Sequence, residues 1–214
     1  MVDDYGYFMI AIVDYNAGNL TSVQWALREV GIDATITSDP DAILQADRVI
    51  FPGVGAAGAA MEELNKHGLN QAVRAFVASG KPFLRICIGC QVILDSSGED
   101  GGISCLGLLD GSVKRFPKMP GLKVPHMGWN QVRFTRKHFV LDGIPDGAEF
   151  YFVHSFYPAP ADNSVILGTT EYGGAGFPSL LARDNIVACQ FHTEKSGPFG
   201  LRLLKNFCAW DGKI

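Results

Sequence analysis

The sequence predicts an α/β fold of three layers: an open, mixed, mostly parallel sheet with helices on both faces, and additional antiparallel strands in its second half. Up to Asp95, short apolar runs alternate with segments whose apolar residues recur at helical spacing, and short loops separate them. This alternation is typical of βαβ units on a parallel sheet. After Asp95 the apolar runs follow one another closely with turn residues between them, as in antiparallel strands.

Each predicted element of the first half rests on its apolar pattern. The sequence predicts strands at residues 9–13, 34–37, 48–51 and 83–86, and the continuous apolar run at 9–13 is typical of a strand that is covered on both faces. Helical spacing predicts helices over residues 20–30, around 61–64, over 69–77 and over 89–94. Gly31 and Gly80 end two of these helices, and Asp39-Pro40 opens a further short one.

The second half predicts strands at residues 150–154, 165–172, 179–182 and 186–191, with turns at 173–174 and 184–185. Asp110-Gly111 lies between apolar runs and is typical of a hairpin turn. A final helix is predicted from about 198 to 210. No linker or repeat interrupts the pattern, so we expect residues 9–212 to form a single domain after a loose N-terminal extension over residues 1–8.

Composition excludes several classes of protein. Apolar residues make up 47% of the 214 residues and charged residues 19%, which is typical of a globular chain. A net charge of −4 argues against a general nucleic-acid binder. The five cysteines show no framework spacing, which favours a reducing compartment, and we expect a cytoplasmic protein. The first apolar run is too short to span a bilayer and follows an acidic start, so we expect neither a signal peptide nor a membrane helix.

Cys87 falls where a predicted strand meets a predicted helix, within the segment 81–95. A nucleophile on such a turn is exposed, and the amides that open the helix favour a thiolate. Gly89 is the small residue that this turn needs two positions later, whereas Arg85 stands where a second small residue is usual. Two other interpretations stay open: a buried structural cysteine, or a dithiol or half zinc site formed by Cys87 and Cys90 as a C-x-x-C.

A cysteine nucleophile needs a base, and the base needs an orienting partner. His192 follows the predicted strand 186–191, and functional residues of open α/β sheets gather at the carboxyl ends of strands. Glu194 would point the same way as His192 in an extended segment and could fix its tautomer. A solvated turn that holds these residues by coincidence is the alternative.

Pro52-Gly53-Val54-Gly55 ends the third predicted strand. Glycines on both sides of Val54 let its peptide turn over easily, so this amide could donate to an oxyanion together with the amide of Ile88. An ordinary tight turn is the alternative interpretation.

Together these segments resemble the class I glutamine amidotransferases, and within them the family of glutaminase subunits that serve imidazole glycerol phosphate synthase. The resemblance covers nearly the whole chain. Its specific marks are Pro52-Gly-Val-Gly55, Ile86-Cys-Ile-Gly-Cys-Gln91, Pro125-His-Met-Gly-Trp-Asn130, Phe150-Tyr-Phe-Val-His-Ser155 and Gln190-Phe-His-Thr-Glu-Lys-Ser196.

The resemblance implies a fold and a set of site residues. It implies a class I glutamine amidotransferase-like domain, with Cys87 as nucleophile, His192 as general base and acid, and Glu194 as the residue that orients His192. The oxyanion hole would be formed by the Val54 and Ile88 amides. Glutamine would be bound by Gly53, Gly55, Gln91, Ser155 and Phe156. It implies no metal and no cofactor.

The resemblance also implies a partner. Ammonia released from L-glutamine would pass through a channel into a (β/α)8-barrel cyclase subunit in a heterodimer that belongs to histidine biosynthesis. Residues that match the face meeting the barrel are Asn16, Asn19, Trp129 and Tyr151. Neither a nucleic acid nor a membrane is expected as a partner.

Three residues depart from the family pattern: Arg85 replaces a glycine, Cys90 a methionine and Thr193 a proline. Burying an unpaired guanidinium is costly unless it reaches water or a carboxylate, so we expect Arg85 to do so, to shift the elbow slightly and to weaken the site. Three alternative functions remain: ammonia supply for surface-sugar amidination, a docking subunit whose glutaminase activity Arg85 impairs, and a C-x-x-C oxidoreductase. His126 and His154 are interpreted as hydrogen-bonded structural histidines.

Overall fold

A computed structural model describes residues 8–16, 18–118 and 122–213. The expected loose extension lies outside the described residues except for Phe8. The strands are β1 (Ile10–Val13), β2 (Thr35–Thr37), β3 (Arg48–Phe51), β4 (Phe83–Ile86), β5 (Ser96–Ser97), β6 (Ile103–Ser104), β7 (Gly111–Arg115), β8 (His126–Gln131), β9 (Arg133–Phe134), β10 (Glu149–His154), β11 (Phe156–Pro160), β12 (Ile166–Tyr172), β13 (Ala175–Arg183) and β14 (Ile186–Cys189). The α-helices are α1 (Leu20–Glu29), α2 (Pro40–Gln45), α3 (Ala57–Lys66), α4 (Leu69–Ala78), α5 (Ile88–Val92) and α6 (Gly197–Ala209).

An eight-stranded sheet forms the middle layer, in the order β2-β1-β3-β4-β14-β13-β12-β9. The strands from β2 to β14 pair in parallel, and β13, β12 and β9 are joined to them by antiparallel pairing. This confirms the predicted fold class. The pairing of β4 with β14 puts Ile86 opposite Cys189, so the segments that follow the two strands leave the sheet side by side.

Alternating side chains of the central strands enter two cores, one on each face of the sheet. Ile10 and Ile12 of β1 belong to the core that α1 and α6 cover, whereas Ala11 and Val13 belong to the core that α2, α3 and α4 cover. Strands buried on both faces read as continuous apolar runs, which explains why the sequence pattern located them. No helix in the described ranges is long and apolar enough to cross a membrane.

Two smaller sheets lie beside the central one. β8 and β10 form an antiparallel pair, and β11, β7, β5 and β6 form a four-stranded sheet. The hairpin predicted at Asp110-Gly111 is wrong, because β7 starts at Gly111 and pairs in parallel with β5. The apolar segment before Asp110 is instead hydrogen-bonded to the end of α5, because the amides of Leu106 and Leu108 donate to the carbonyls of Val92 and Ile93.

Candidate active site

A cavity of about 300 Å³ opens at the carboxyl edge of the central sheet. Its size lies at the lower end of the range for small-molecule sites. Segments that are far apart in the sequence meet there. The lining residues are Val54, Gly55, Cys87, Ile88, Gln91, Glu99, Pro125, Val153, His154, Ser155, Phe156 and His192.

Cys87 occupies a strained turn between β4 and α5. Its φ of 55° and ψ of −111° lie in a region that residues with a side chain rarely adopt. The turn brings the helix close to β3: a methyl group on Gly89 would lie 2.5 Å from the carbonyl oxygen of Phe51. The predicted strand-to-helix elbow is therefore present, and Cys87 lines the cavity at the start of α5.

His192 and Glu194 form a buried pair beside this turn. Nδ1 of His192 lies 2.7 Å from Oε1 of Glu194, and their side chains are 1% and 0% exposed. Because a carboxylate only accepts hydrogen bonds, Nδ1 carries the proton and Nε2 of the neutral ring is left as the acceptor. Nε2 has no hydrogen-bond partner among the described residues, and the ring lines the same cavity as Cys87.

The predicted reason for the contact between His192 and Glu194 is wrong, although the contact exists. The residues Thr193–Lys195 form a 3-10 turn and are not extended. Ser196 anchors this turn, because its hydroxyl donates to the carbonyl of His192 and accepts from the amide of Tyr151.

The electrostatic surroundings of His192 favour its charged form. Burial lowers the pKa of His192, but Cys87 and Glu194 outweigh burial and raise it to about 10. Asn19 donates a further hydrogen bond to Oε1 of Glu194, which holds the carboxylate in place. The imidazolium that forms when His192 takes a proton is thus stabilised by the site.

Val54 and Gly55 of the segment Pro52-Gly53-Val54-Gly55 line the cavity, and the two glycines of this segment have different roles. Gly55 has a φ of 96°, which favours glycine, and lines the cavity. Gly53 does not line it. A methyl group on Gly53 would overlap the hydroxyl of Tyr15 and Cγ2 of Ile88, so Gly53 allows close packing behind the cavity.

Glu99 also lines the cavity, although it was not among the predicted site residues. Its Oε2 accepts a hydrogen bond of 2.7 Å from the amide of Ala57, which fixes the carboxylate at the start of α3. Its only sequence signal is an acidic residue in a glycine-rich loop, which does not reveal what the loop faces. Gln91, on α5, has its amide nitrogen bound to the carbonyl of Phe156 at 2.9 Å and to Oε1 of Gln190 at 3.0 Å.

Arg85 is fully buried beneath the elbow. The expectation that its charged head reaches water or a carboxylate is wrong. Its Nε donates to the carbonyl of Gly89 at 2.9 Å and its Cζ lies 3.8 Å from the centre of the Phe51 ring, while Nη1 and Nη2 have no partner among the described residues. Burial lowers the pKa of Arg85 to about 9. β4 nevertheless pairs regularly at this position, with Arg85 opposite Phe51 and Ala188.

Three of the four residues expected to meet a partner, Asn19, Trp129 and Tyr151, lie beside His192 and Glu194, whereas Asn16 contacts Glu63. The rings of Trp129 and Tyr151 contact each other edge to face at 6.1 Å, and Trp129 is 53% exposed. The amide of Asn16 donates to Glu63, and Asn19 binds the catalytic carboxylate candidate Glu194. One of the expected partner residues is therefore directly bonded to the buried pair.

Comparisons with known sequences agree with this geometry. The family model described as "Glutamine amidotransferase class-I" matches residues 11–210. The chain is 50% identical over 199 residues to imidazole glycerol phosphate synthase subunit HisH of Dehalococcoides mccartyi strain CBDB1, which covers 93% of this chain and 96% of that protein. It is 47% identical over 209 residues to the HisH subunit of Chloroflexus aurantiacus, with 96% and 98% covered.

Solved structures share the fold at much lower identity. A putative GMP synthase component from Thermoplasma acidophilum has a TM-score of 0.71 and 19% identity, with 95% of this chain and 94% of that chain covered. PurLQS from Thermotoga maritima has a TM-score of 0.71 and 16% identity, with 94% and 97% covered. The fold and the extent of the sequence match lead to one assignment. The chain belongs to the class-I glutamine amidotransferase family.

Proposed function

We propose that this chain is the glutaminase subunit, HisH, of imidazole glycerol phosphate synthase, and that it supplies ammonia for histidine biosynthesis. The observation that carries the proposal is the joint geometry of three residues: Cys87 on a strained elbow, and, lining the same cavity, His192, whose Nδ1 is fixed by Glu194 and whose Nε2 has no hydrogen-bond partner among the described residues. Identities of 47–50% to HisH relatives over nearly the full length support the choice within the family.

These residues provide the groups for a two-step amide hydrolysis. His192 takes the thiol proton of Cys87, and the thiolate attacks the side-chain amide carbon of glutamine. The amides of Val54 and Ile88 stabilise the oxyanion, and His192 passes the proton to the departing ammonia. Water, deprotonated by His192, then attacks the thioester, and glutamate leaves as Cys87 regains its proton.

The cavity also offers groups for the amino-acid end of glutamine. We assign the α-ammonium group to the carboxylate of Glu99, because it is the carboxylate that lines the cavity without binding His192. Gln91 can present its carbonyl oxygen, since its amide nitrogen is already bonded. Backbone groups at Gly55, Ser155 and Phe156 complete the proposed glutamine site.

The proposed partner is a HisF-like (β/α)8-barrel cyclase in a heterodimer, docked on Asn16, Asn19, Trp129 and Tyr151. Ammonia would pass unprotonated from the cavity to the barrel. We expect the chain to act in the cytoplasm, because its five cysteines are free and a reducing compartment keeps them so.

The test is glutamate release by the chain co-purified with the cyclase subunit, with the ligand of the cyclase bound. We expect glutamine-dependent synthesis in which one glutamate appears per product molecule. A folded complex that makes product from ammonium salts but releases no glutamate would favour the docking subunit with impaired activity. Productive assembly with a sugar-pathway barrel, but not with the histidine-pathway cyclase, would favour the surface-sugar alternative.

A further inference from the structure

Two buried histidines lie side by side at the cavity, and His154 is one of its lining residues. His126 on β8 and His154 on β10 face each other in the antiparallel pair and are 2% and 5% exposed. Nδ1 of His126 lies 3.0 Å from Nε2 of His154. Nδ1 of His154 lies 2.8 Å from the carbonyl oxygen of Phe156, in the segment that lines the cavity.

The two ends of this chain of hydrogen bonds fix its direction. The carbonyl of Phe156 only accepts, so Nδ1 of His154 donates and its Nε2 accepts from His126. At the other end, the amide nitrogen of Asn130 donates to the carbonyl of Glu171 and lies 3.3 Å from Nε2 of His126. His126 therefore accepts at Nε2 and donates at Nδ1, and both rings are neutral with the proton on Nδ1.

The surroundings of the pair favour neutral rings. His126 is stacked between Phe152, with ring centres 4.8 Å apart, and Tyr172, at 4.0 Å. Burial lowers the pKa of His126 to about 4 and that of His154 to about 3. Both rings therefore stay neutral at pH 7, and the donor-to-acceptor direction of the hydrogen bonds from His126 to His154 to Phe156 is kept.

This series of hydrogen bonds ends at the carbonyl of Phe156, which also belongs to the proposed glutamine site. The carbonyl of Phe156 accepts from His154 and also from the amide nitrogen of Gln91, at 2.9 Å. The orientation of the Gln91 amide depends on this carbonyl, and Gln91 and Phe156 both line the cavity. A displaced Phe156 carbonyl would therefore displace two of the groups that hold the substrate.

We infer that His126 and His154 are positioning residues for glutamine: a neutral imidazole pair that holds the Phe156 carbonyl and, through it, Gln91. The inference rests on the proposed function, because it requires glutamine to bind beside Phe156 and Gln91. Among the described residues, neither histidine is hydrogen-bonded to Cys87 or to Nε2 of His192, so loss of the pair should weaken binding more than chemistry.

Two variants of His126 separate its hydrogen bond from its packing. His126→Phe keeps a ring between Phe152 and Tyr172 but removes the donor to His154. His126→Asn loses the ring but keeps an amide near the position of Nδ1. In the complex with the cyclase, we expect His126→Phe to raise the KM for glutamine about 3- to 10-fold with kcat changed less than about twofold. The KM of His126→Asn should stay near that of the wild type, although the variant is less stable.

A purely structural role predicts the reverse order, because the asparagine variant loses more packing. A larger KM change in His126→Asn than in His126→Phe, or no change in either, would overturn the inference. His138→Phe is the matched control, since His138 packs on Trp210 away from the cavity, and its KM should equal that of the wild type. If the wild-type complex itself releases no glutamate, the proposed function fails, and that result is distinct from an unchanged KM.

A measurement on the wild type covers the case in which His126→Phe does not fold. Nitrogen-15 NMR of the histidine side chains in the complex distinguishes the two neutral tautomers and the charged ring. We expect both His126 and His154 to be neutral and protonated at Nδ1 at pH 7. A charged ring, or a proton on Nε2 of either one, would contradict the inference.

Discussion

At the scale of single residues, the position of a sulfur relative to the elbow separates a nucleophile from a structural cysteine. Cys87 has a positive φ and lines the cavity, whereas Cys90 lies one helical turn later and is fully buried. Burial raises the pKa of the Cys90 thiol well above its ordinary value, so that sulfur stays protonated. These observations favour a single-thiol mechanism over a dithiol one.

Substituting the two cysteines tests this distinction. Cys87→Ala should abolish glutamine hydrolysis in the complex, while synthesis from added ammonium salts continues. Cys90→Ala should retain glutaminase activity and lose roughly 1–2 kcal/mol of stability, as expected for truncating a small buried side chain. Glutamate release and thermal unfolding of both variants are the measurements. An inactive but folded Cys90→Ala variant would favour the C-x-x-C oxidoreductase.

Arg85 leads to a prediction that the sequence alone did not give. Its guanidinium is enclosed, with one hydrogen bond from Nε to Gly89 and two nitrogens that have no partner among the described residues. Replacing a buried charge by an apolar side chain of similar volume is often neutral or stabilising by about 1–4 kcal/mol. Arg85→Met should therefore raise the midpoint of thermal unfolding and preserve glutamate release.

Arg85→Gly serves as the comparison. This variant removes the same charge but leaves an enclosed void against Phe51, and such cavities cost about 2–5 kcal/mol for a large side chain. It should be less stable than Arg85→Met. If Arg85→Met is less stable than the wild type, the stacking of the guanidinium on Phe51 contributes more than burial of the charge costs.

His192 makes stability depend on pH. Its pKa in the folded protein is raised to about 10, above the value of about 6.5 for an unperturbed histidine. The folded state therefore binds this proton more tightly, so the stabilisation is fully present below about pH 6.5 and is lost as pH rises towards 10. The advantage of the wild type over His192→Gln in urea unfolding should be larger at pH 6 than at pH 10. An advantage that grows with pH would contradict the assigned direction.

At the scale of elements, the site depends on how closely the Pro52–Gly55 segment packs on α5. Gly53 lies against Tyr15 and Ile88 with no room for a methyl group. Because Ile88 follows the nucleophile, a shift of this segment moves both proposed oxyanion donors relative to Cys87.

Gly53→Ala should lower glutaminase activity by roughly a hundredfold or more, since loss of one oxyanion donor typically costs that much. The partner-bound complex should still assemble and use ammonium salts. Gly176→Ala on β13 is the control, because nothing lies within 4 Å of the added methyl group. Full activity in a folded Gly53→Ala variant would mean that this segment does not supply an oxyanion donor.

At the scale of the whole molecule, the exposed Trp129 is the aromatic side chain best placed to anchor the proposed partner. It packs edge to face on Tyr151 beside the site and is 53% exposed. Trp129→Ala should weaken binding of the cyclase subunit by about 2 kcal/mol or more, as buried aromatic anchors of interfaces do. Trp25→Ala removes an even more exposed tryptophan, at 64%, that is not among the expected partner residues. Calorimetric titration of both variants checks the prediction, and an equal loss of affinity would refute the assigned face.

Local patterns in the sequence predicted seven of the eight strands of the central sheet, all except β9, and singled out the residues of the proposed catalytic trio. The strands that precede Cys87 and His192 are buried on both faces, so they are visible without the fold as apolar runs, that of β4 interrupted by Arg85. The rule that parallel strands end at one edge then brings both residues together. The pattern and the rule place the residues, but their catalytic roles came from the family resemblance, because a structural cysteine and a solvated turn fit the same local pattern.

Features that depend on contacts between distant residues could not be read from the sequence. Glu99 enters the cavity because its carboxylate binds the amide of Ala57, and His126 meets His154 because β8 pairs with β10. The apolar run before β7 looked like half of a hairpin, yet it is bonded to the end of α5. Arg85 is buried because β3, β14 and α5 pack around it, whereas its charge predicted that the guanidinium would reach water or a carboxylate. Periodicity reports which face of an element is buried, but the partner of each buried group is set by the packing of the whole chain.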